Sequence, residues 1–334
     1  CGSGGMLIQT RNYLTRNGEN PSNLMLSGQE RNLSTWAICK LNMFLHGVRG
    51  ADIRKGDTLG DPQHIENGEL MRFDRVIANP PFSLKKWGRD FAENDGYGRY
   101  RFGIPPKDAG DLAFVQHMIA SLNNEGVMGV VLPHGVLFRG GAEGEIRKGI
   151  LESDLLEAII GLPSSLFYGT GIPAALLIIN KQKDSLKKGR VLFINAELDY
   201  QEGKNQNILR DLDIEKIVNC FDSYEEIKRF SKVISLEEIK ENDYNLNIRR
   251  YADTSPPPEN FDVKGILHGG IPIKEIQDEY IQELLEGFDI DLVFVKKDDE
   301  YMMFKEEIKD KLQIRQILEH HIFIIYDVQR RDKR

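Results

Sequence analysis

The sequence predicts an α/β domain organised on a doubly wound, mostly parallel sheet, followed by a helical C-terminal region. Three observations predict it. Apolar runs of strand length alternate with stretches of helical periodicity up to about residue 200, the rhythm of strands joined by crossover helices. The strand ends are followed in series by a glycine-rich turn, Glu30, Asp57 and Asn79, and open parallel sheets hold their ligands at such strand ends. Beyond residue 200 the charge density rises and the apolar runs shorten into amphipathic patterns.

Taken in order, Cys1-Gly2-Ser3-Gly4-Gly5 before Met6-Leu7-Ile8 reads as a turn opening a helix, with free backbone N–H groups and no Cβ atoms to keep a ligand away. It matches neither the P-loop pattern nor Gly-x-Gly-x-x-Gly. Leu24 to Glu30 reads as a strand ending in a carboxylate, and Leu33, Ala37, Leu41, Phe44 and Leu45 mark a helix whose apolar face packs on the sheet. Glu30 is either a ligand acceptor or a helix-start acid favoured by the macrodipole. Val48 to Ile53 gives a third strand, and Asp57 after it is either a second acceptor or an Asx-turn residue.

The next strand, ending in Val76-Ile77-Ala78, is expected to be buried, and it empties into Asn79-Pro80-Pro81-Phe82. Two prolines have no N–H to give, so neither ladder nor helix continues. The four residues offer a carboxamide oxygen, a stiffly held carbonyl and a flat ring. That set suits a planar amine. The Asn79 side-chain oxygen and the Pro80 carbonyl can take both hydrogens of an exocyclic amino group, whose lone pair is otherwise delocalised, and favour the tetrahedral form that attacks. Phe82 can stack on a base flipped out of a duplex. A proline-punctuated turn is the plain alternative, yet average residue usage puts Asn-Pro-Pro-aromatic in roughly one chain of this length in several hundred.

Residues 83–110 lack apolar periodicity and carry Lys85, Lys86, Trp87, Arg89, Arg99, Tyr100, Arg101 and Lys107. Cations among aromatics suit phosphate and base contacts, and a solvated loop is the alternative. Asp111 is expected to cap a helix marked by Leu112, Val115, Met118 and Leu122. Val127 to Leu132 reads as a buried strand, Ile146 to Leu151 as a helix, and Leu155 to Leu162 as a strand. Ala174 to Asn180 and Arg190 to Ala196 are expected to form a hairpin at the sheet edge.

Asn79-Pro80-Pro81-Phe82 resembles the catalytic motif of S-adenosylmethionine-dependent amino-methyltransferases. The motif alone leaves adenine-N6, cytosine-N4 and protein-glutamine substrates open. Cys1-Gly2-Ser3-Gly4-Gly5 is similar to the second half of the Asp-Pro-x-Cys-Gly-Ser-Gly-Gly cofactor loop of the methylating subunits of type I restriction-modification systems, and Asp243-Tyr244-Asn245-Leu246-Asn247-Ile248-Arg249-Arg250-Tyr251 resembles their tail signature. That resemblance covers most of residues 1–251. It implies a methyltransferase sheet whose first strand precedes residue 1, with S-adenosylmethionine as cofactor. Gly2, Ser3 and Gly4 would line the cofactor, Glu30 would accept its ribose hydroxyls and Asp57 its adenine amino group. Asn79 and Pro80 would polarise an adenine N6 in double-stranded DNA, and Phe82 would sandwich the base with Phe167. Tyr168 is the adjacent candidate for the second ring, and a core aromatic the alternative. The implied partners are a specificity subunit and the restriction subunit of the same system. A non-catalytic assembly subunit is the remaining alternative.

Composition sets the outer bounds. A net charge of −8 argues against a protein that grips DNA by itself through a broad basic face, so DNA contact is expected to be local or delegated to a partner. No apolar run approaches a membrane span, so the expectation is a cytoplasmic protein without a membrane partner. A lipoprotein start at Cys1 is disfavoured because Met6-Leu7-Ile8 already forms a helix face. The three cysteines, Cys1, Cys39 and Cys220, show no metal-ligand spacing and are expected to be free thiols. The expected domains are a catalytic one over 1–200 and a mainly helical region over 201–334, with Thr254 to Pro258 as a linker and helices over 273–286 and 304–320 available for subunit contact.

Overall fold

A computed structural model describes residues 1–168, 171–255, 262–278, 281–282, 289–310 and 312–314. The chain divides into two compact units, Cys1–Ser255 and Pro256–Arg334.

The first unit begins with helix α1 (Gly5–Arg16), strand β1 (Ser27–Glu30), helix α2 (Leu33–Leu45) and strand β2 (Asp52–Lys55). β1 and β2 pair in parallel, with Glu30 opposite Lys55. A small core of Ile8, Cys39, Met43 and Ile53 ties the two helices to the strands. The stripe expected to pack, Leu33, Ala37, Leu41, Phe44 and Leu45, instead faces solvent, with Phe44 74% exposed. The helix is apolar on more than one side, and Cys39 and Met43 occupy the space left by the bare Gly4.

A two-residue hairpin, β3 (Ile65–Glu66) and β4 (Glu69–Leu70), precedes β5 (Phe73–Ala78). Then come α3 (Arg89–Glu93), α4 (Asp111–Ala120), β6 (Leu122–Pro133), α5 (Ala142–Glu152), β7 (Leu156–Gly161), β8 (Ala174–Asn180) and β9 (Arg190–Asn195). The unit closes with α6 (Asp211–Ser223), β10 (Ser231–Ser235), α7 (Leu236–Glu241) and α8 (Ile248–Tyr251). The central sheet runs β10-β9-β7-β8-β6-β5, and only β8 and β10 oppose the other strands. Its core holds Val130, Leu132, Ile159, Ile179 and Phe193, with Leu112 and Ile146 from flanking helices.

Three expectations change. β8 does not form a hairpin with β9 but inserts antiparallel between β6 and β7; a run as apolar as Ala174-Ala-Leu-Leu-Ile-Ile suits an interior strand covered on both faces. β5 is the edge strand of its sheet rather than a buried one, and Ile77 is 43% exposed. The compact unit extends past residue 200 because α6, β10 and α8 complete the sheet: Asn195 donates to the Ala252 carbonyl at 2.8 Å, and the Tyr251 ring lies 4.5 Å from that of Phe193. The Asp243–Tyr251 stretch is thereby a structural clasp, with Ile248 lying over Gly161.

In the second unit, α9 (Val263–His268), β11 (Ile271–Pro272), α10 (Ile273–Ile276), β12 (Phe294–Lys296) and β13 (Tyr301–Phe304) surround an antiparallel sheet ordered β11-β13-β12. Beyond residue 200 the described residues hold more helix than strand, in keeping with the expected helical C-terminal region, and β11, β13 and β12 add a small sheet to it. Of the expected helix 273–286, α10 is seen and Tyr280 and Leu284 lie outside the described residues; the start of the expected helix 304–320 is instead the end of β13, and Ile317 lies outside them. No helix among the described residues is long and apolar enough to cross a membrane.

Candidate functional site

The glycine turn is held from below. Gly2 and Gly4 adopt left-handed φ values of +60° and +84°, which favour glycine. A Cβ on Gly4 would stand 2.4 Å from Met43 Cε and 2.9 Å from Cys39 Sγ. The Asn42 side chain donates to the Ser3 carbonyl at 3.0 Å, fixing the middle of the turn. The three cysteines are free thiols, and Cys1 Sγ lies 3.9 Å from Cys39 Sγ.

Glu30 at the end of β1 closes the other side. Its Oε2 accepts the Gly2 N–H and its Oε1 the Asn32 N–H, each at 2.9 Å. Burial raises its carboxyl pKa, and the N–H donors of Asn32 and Gly2 work against that by favouring the carboxylate. The structure therefore brings Gly2 and Glu30 into direct contact, with Glu30 ionised. Asp57, past the end of β2, makes an Asx turn: Oδ1 accepts from Leu59 and Gly60 at 3.1 and 3.3 Å. Its Oδ2 lies 3.2 Å from the mostly exposed Arg31 guanidinium, so one carboxylate oxygen faces a yielding partner.

At the end of β5 Pro80 is buried and Asn79 is exposed. The ring of Phe82 meets that of Phe167 with centroids 6.3 Å apart and planes at 79°, an edge-to-face pair. These rings come from loops after two different strands, β5 and β7. Tyr168, 91% exposed, takes no part in that pair.

What joins the acids to the rings is the loop 83–110. Trp87 is buried with Leu59, Ala92 and Ala113, and its indole donates to the Pro106 carbonyl at 2.8 Å. Gly110 leaves room for that ring, since a Cβ there would lie 2.8 Å from Trp87 Cβ. Arg99, one of the cations read as suited either to phosphate and base contacts or to a solvated loop, is only 3% exposed in its side chain and is ion-paired with Asp95 at 2.8 Å. It also reaches the Thr58 carbonyl at 3.4 Å and His117 Nδ1 at 3.3 Å. It is a structural hub tying the loop to the Asp57 turn. Burial pushes the neighbouring Tyr100 hydroxyl up to about 12.

Asp111 is the residue that sequence reasoning misplaced. The cap position of α4 is Gly110, and the fully buried Asp111 carboxylate accepts the Ser83 N–H at 2.8 Å. An aspartate at a helix start reads as a cap in any sequence, so no local signal distinguishes this use. No cluster of metal-ligating side chains occurs among the described residues.

The glycine turn and Glu30 sit on the parallel β1–β2 pair and the Asn-Pro-Pro-Phe loop at the edge of the six-stranded sheet, an α/β fold of the S-adenosylmethionine-dependent methyltransferase class. The chain belongs to the N-6 DNA Methylase family, whose model matches residues 1–260. It is 41% identical over 298 residues to the type I restriction enzyme MjaVII methylase subunit of Methanocaldococcus jannaschii, covering 85% of this chain and 50% of that protein. With the HindI methylase subunit of Haemophilus influenzae it shares 35% identity over 302 residues, 86% of this chain and 63% of that protein. The crystal structure of the type I restriction-modification system methyltransferase subunit from Streptococcus thermophilus superposes with a TM-score of 0.69 at 40% identity, covering 76% of this chain and 52% of that one. The chain spans about half the length of the first of these curated relatives.

Proposed function

We propose that this chain is the catalytic portion of a type I modification subunit that methylates adenine N6 in double-stranded DNA, with S-adenosylmethionine as donor. The observation that carries the reading is the meeting of Phe82 and Phe167 beside Asn79 and Pro80. Two rings from separate loops, next to two amine acceptors, suit a flat base bearing an exocyclic amino group.

The residues present fit the cofactor. The side-chain-free surface at Gly2 and Gly4 admits close approach, and the ionised Glu30 can accept two hydroxyl hydrogens. Asp57 Oδ2 can exchange Arg31 for an amino group. S-adenosylmethionine, when bound, supplies an electrophilic methyl group. The chain's own contribution is positional and electrostatic. The Asn79 Oδ1 and the Pro80 carbonyl accept the two amino hydrogens and concentrate the nitrogen lone pair. Phe82 and Phe167 hold the base plane and exclude water from it. Transfer breaks the sulfonium–methyl bond as the nitrogen–methyl bond forms, and the amino proton is then lost to solvent water, since the two carbonyl acceptors are too weakly basic to keep it. Holding both reactants in place accounts for most of the barrier reduction in such a scheme.

The residues assigned to catalysis and cofactor binding all fall within 1–200, and those beyond 200 close the sheet and offer contacts to a specificity subunit and a restriction subunit. The net charge of −8 supports leaving sequence recognition to the specificity subunit. The test is transfer from labelled cofactor to unmethylated duplex, using the full-length protein with its specificity subunit, followed by nucleoside analysis. N6-methyladenine that disappears with Asn79→Ala is expected. Label in cytosine or in protein, or none despite cofactor binding, overturns the reading.

A further inference from the structure

The Asp111 carboxylate is fully buried, yet its two oxygens are used unequally. Oδ1 accepts the backbone N–H of Ser83, 28 residues upstream, at 2.8 Å. Oδ2 is buried and has no hydrogen-bond partner among the described residues; the guanidinium of Arg139 stands 3.9 Å away, beyond hydrogen-bond length. Arg139 is shared, since it also reaches Glu143 at 3.3 Å. Its backbone is fixed in turn by Arg147, which donates to the Arg139 carbonyl at 2.7 Å and to the Val136 carbonyl at 3.1 Å. Burial raises the carboxyl pKa of both Asp111 and Glu143. A buried carboxylate is costly to keep, and one that merely capped α4 would sit as well at the surface.

Ser83 is where that cost is offset. It immediately follows Phe82 and holds a left-handed φ of +49°, a conformation an L-residue keeps only when its surroundings impose it. The turn at Ser83 determines how the chain leaves the two prolines, and hence where the Pro80 carbonyl and the Phe82 ring face. The acceptor that holds it is rigid: α4 carries Asp111 in the core beside Leu112, Ala113 and Val115.

We propose that Asp111 is the positioning residue of the Asn79–Phe82 loop: its carboxylate, seated on α4 and facing Arg139, locks Ser83 and through it aligns the amine acceptors and the stacking ring. The assignment rests on the proposed methyl transfer for its catalytic consequence, and on the geometry alone for its effect on the loop. Arg139, 37% exposed in its side chain, and the buried Glu143 extend the tie to the segment after β6, so loops after two neighbouring parallel strands share one ionic cluster.

The experiment compares wild type, Asp111→Asn and Asp111→Ala in the assembled methylating complex. Hydrogen exchange of the peptide spanning residues 79–86 is read first, because it needs no activity. Exchange in Asp111→Ala is expected to quicken by about tenfold or more, and Asp111→Asn, which retains an acceptor oxygen of the same reach, to stay nearer wild type. In steady-state kinetics Asp111→Ala is expected to lose about 100-fold in kcat with KM for S-adenosylmethionine within about threefold, and Asp111→Asn to recover most of that loss. Cofactor-binding stoichiometry stays at the wild-type value in both. Unchanged exchange at 79–86 in Asp111→Ala overturns the proposal, as does a fall in binding stoichiometry proportional to the fall in kcat, which marks general misfolding. A wild-type complex that makes no N6-methyladenine, with exchange altered as expected, sinks the proposed function and leaves the loop anchor standing.

Discussion

Replacing Phe167 by alanine tests the clamp most directly. In the structure the two rings lie edge to face with centroids 6.3 Å apart. A base held flat between them needs a van der Waals separation of about 3.5 Å on each face, so about 7 Å between parallel rings. The closed pair must therefore rotate and separate slightly. That movement gives up an edge-to-face interaction of about 0.5–1.5 kcal/mol and gains stacking worth about 1–3 kcal/mol per base. Phe167→Ala removes one stacking face. A reduction of about 1–3 kcal/mol in transition-state binding corresponds to about 5- to 150-fold in kcat/KM for DNA. Phe167→Trp restores a flat face and is expected to stay within about fivefold of wild type. S-adenosylmethionine binding, measured by calorimetry, is expected to be unchanged in both variants. Phe167→Ala with kcat/KM within twofold of wild type would refute the clamp and reduce Phe167 to a core aromatic.

The remaining predictions concern the cofactor side and the loop. Gly4→Ala is expected to destabilise the chain by about 2–4 kcal/mol, from left-handed strain and from overlap with Cys39 and Met43, and to abolish cofactor binding; denaturant unfolding and calorimetry check it, and wild-type affinity would contradict the tight turn. Asn79→Ala is expected to lower kcat by at least about 100-fold with cofactor affinity intact, read in the same methyl-transfer assay. Burial, reinforced by the nearby Arg99, pushes the His117 imidazole down to about 3. Its folded pKa lies below that of a free imidazole, near 6.5, so its stabilising effect is complete above pH 6.5 and is lost as the pH falls toward 3. The loss is at most about 1.4 kcal/mol per unit. His117→Asn retains an acceptor for Arg99 and is expected to flatten the decline in urea midpoint between pH 7 and 5; an equal slope in both proteins would exclude His117 as its source.

The sequence by itself determined whatever depends on neighbours along the chain. Glycines at 2 and 4 before an apolar helix start, acids at 30 and 57 just past strand ends, and prolines at 80 and 81 that forbid any ladder are local statements, and local chemistry specifies them. The order of these loops along the chain was likewise enough to imply a sheet with its site at one end. What only the tertiary structure decided were choices between partners distant in sequence. The run Ala174–Asn180 says that both of its faces are covered, but not that β6 and β7 pair with its edges. Helix α2 offers several apolar faces, and packing against Gly4 and Ile53 selected the one bearing Cys39 and Met43. Arg99 carries the same charge whether it meets a phosphate or Asp95, and Asp111 has the same carboxylate whether it caps a helix or holds Ser83. In each case the residue type fixes the kind of contact and its strength, while the identity of the partner follows from which strands pair and which loops they bring to one end of the sheet.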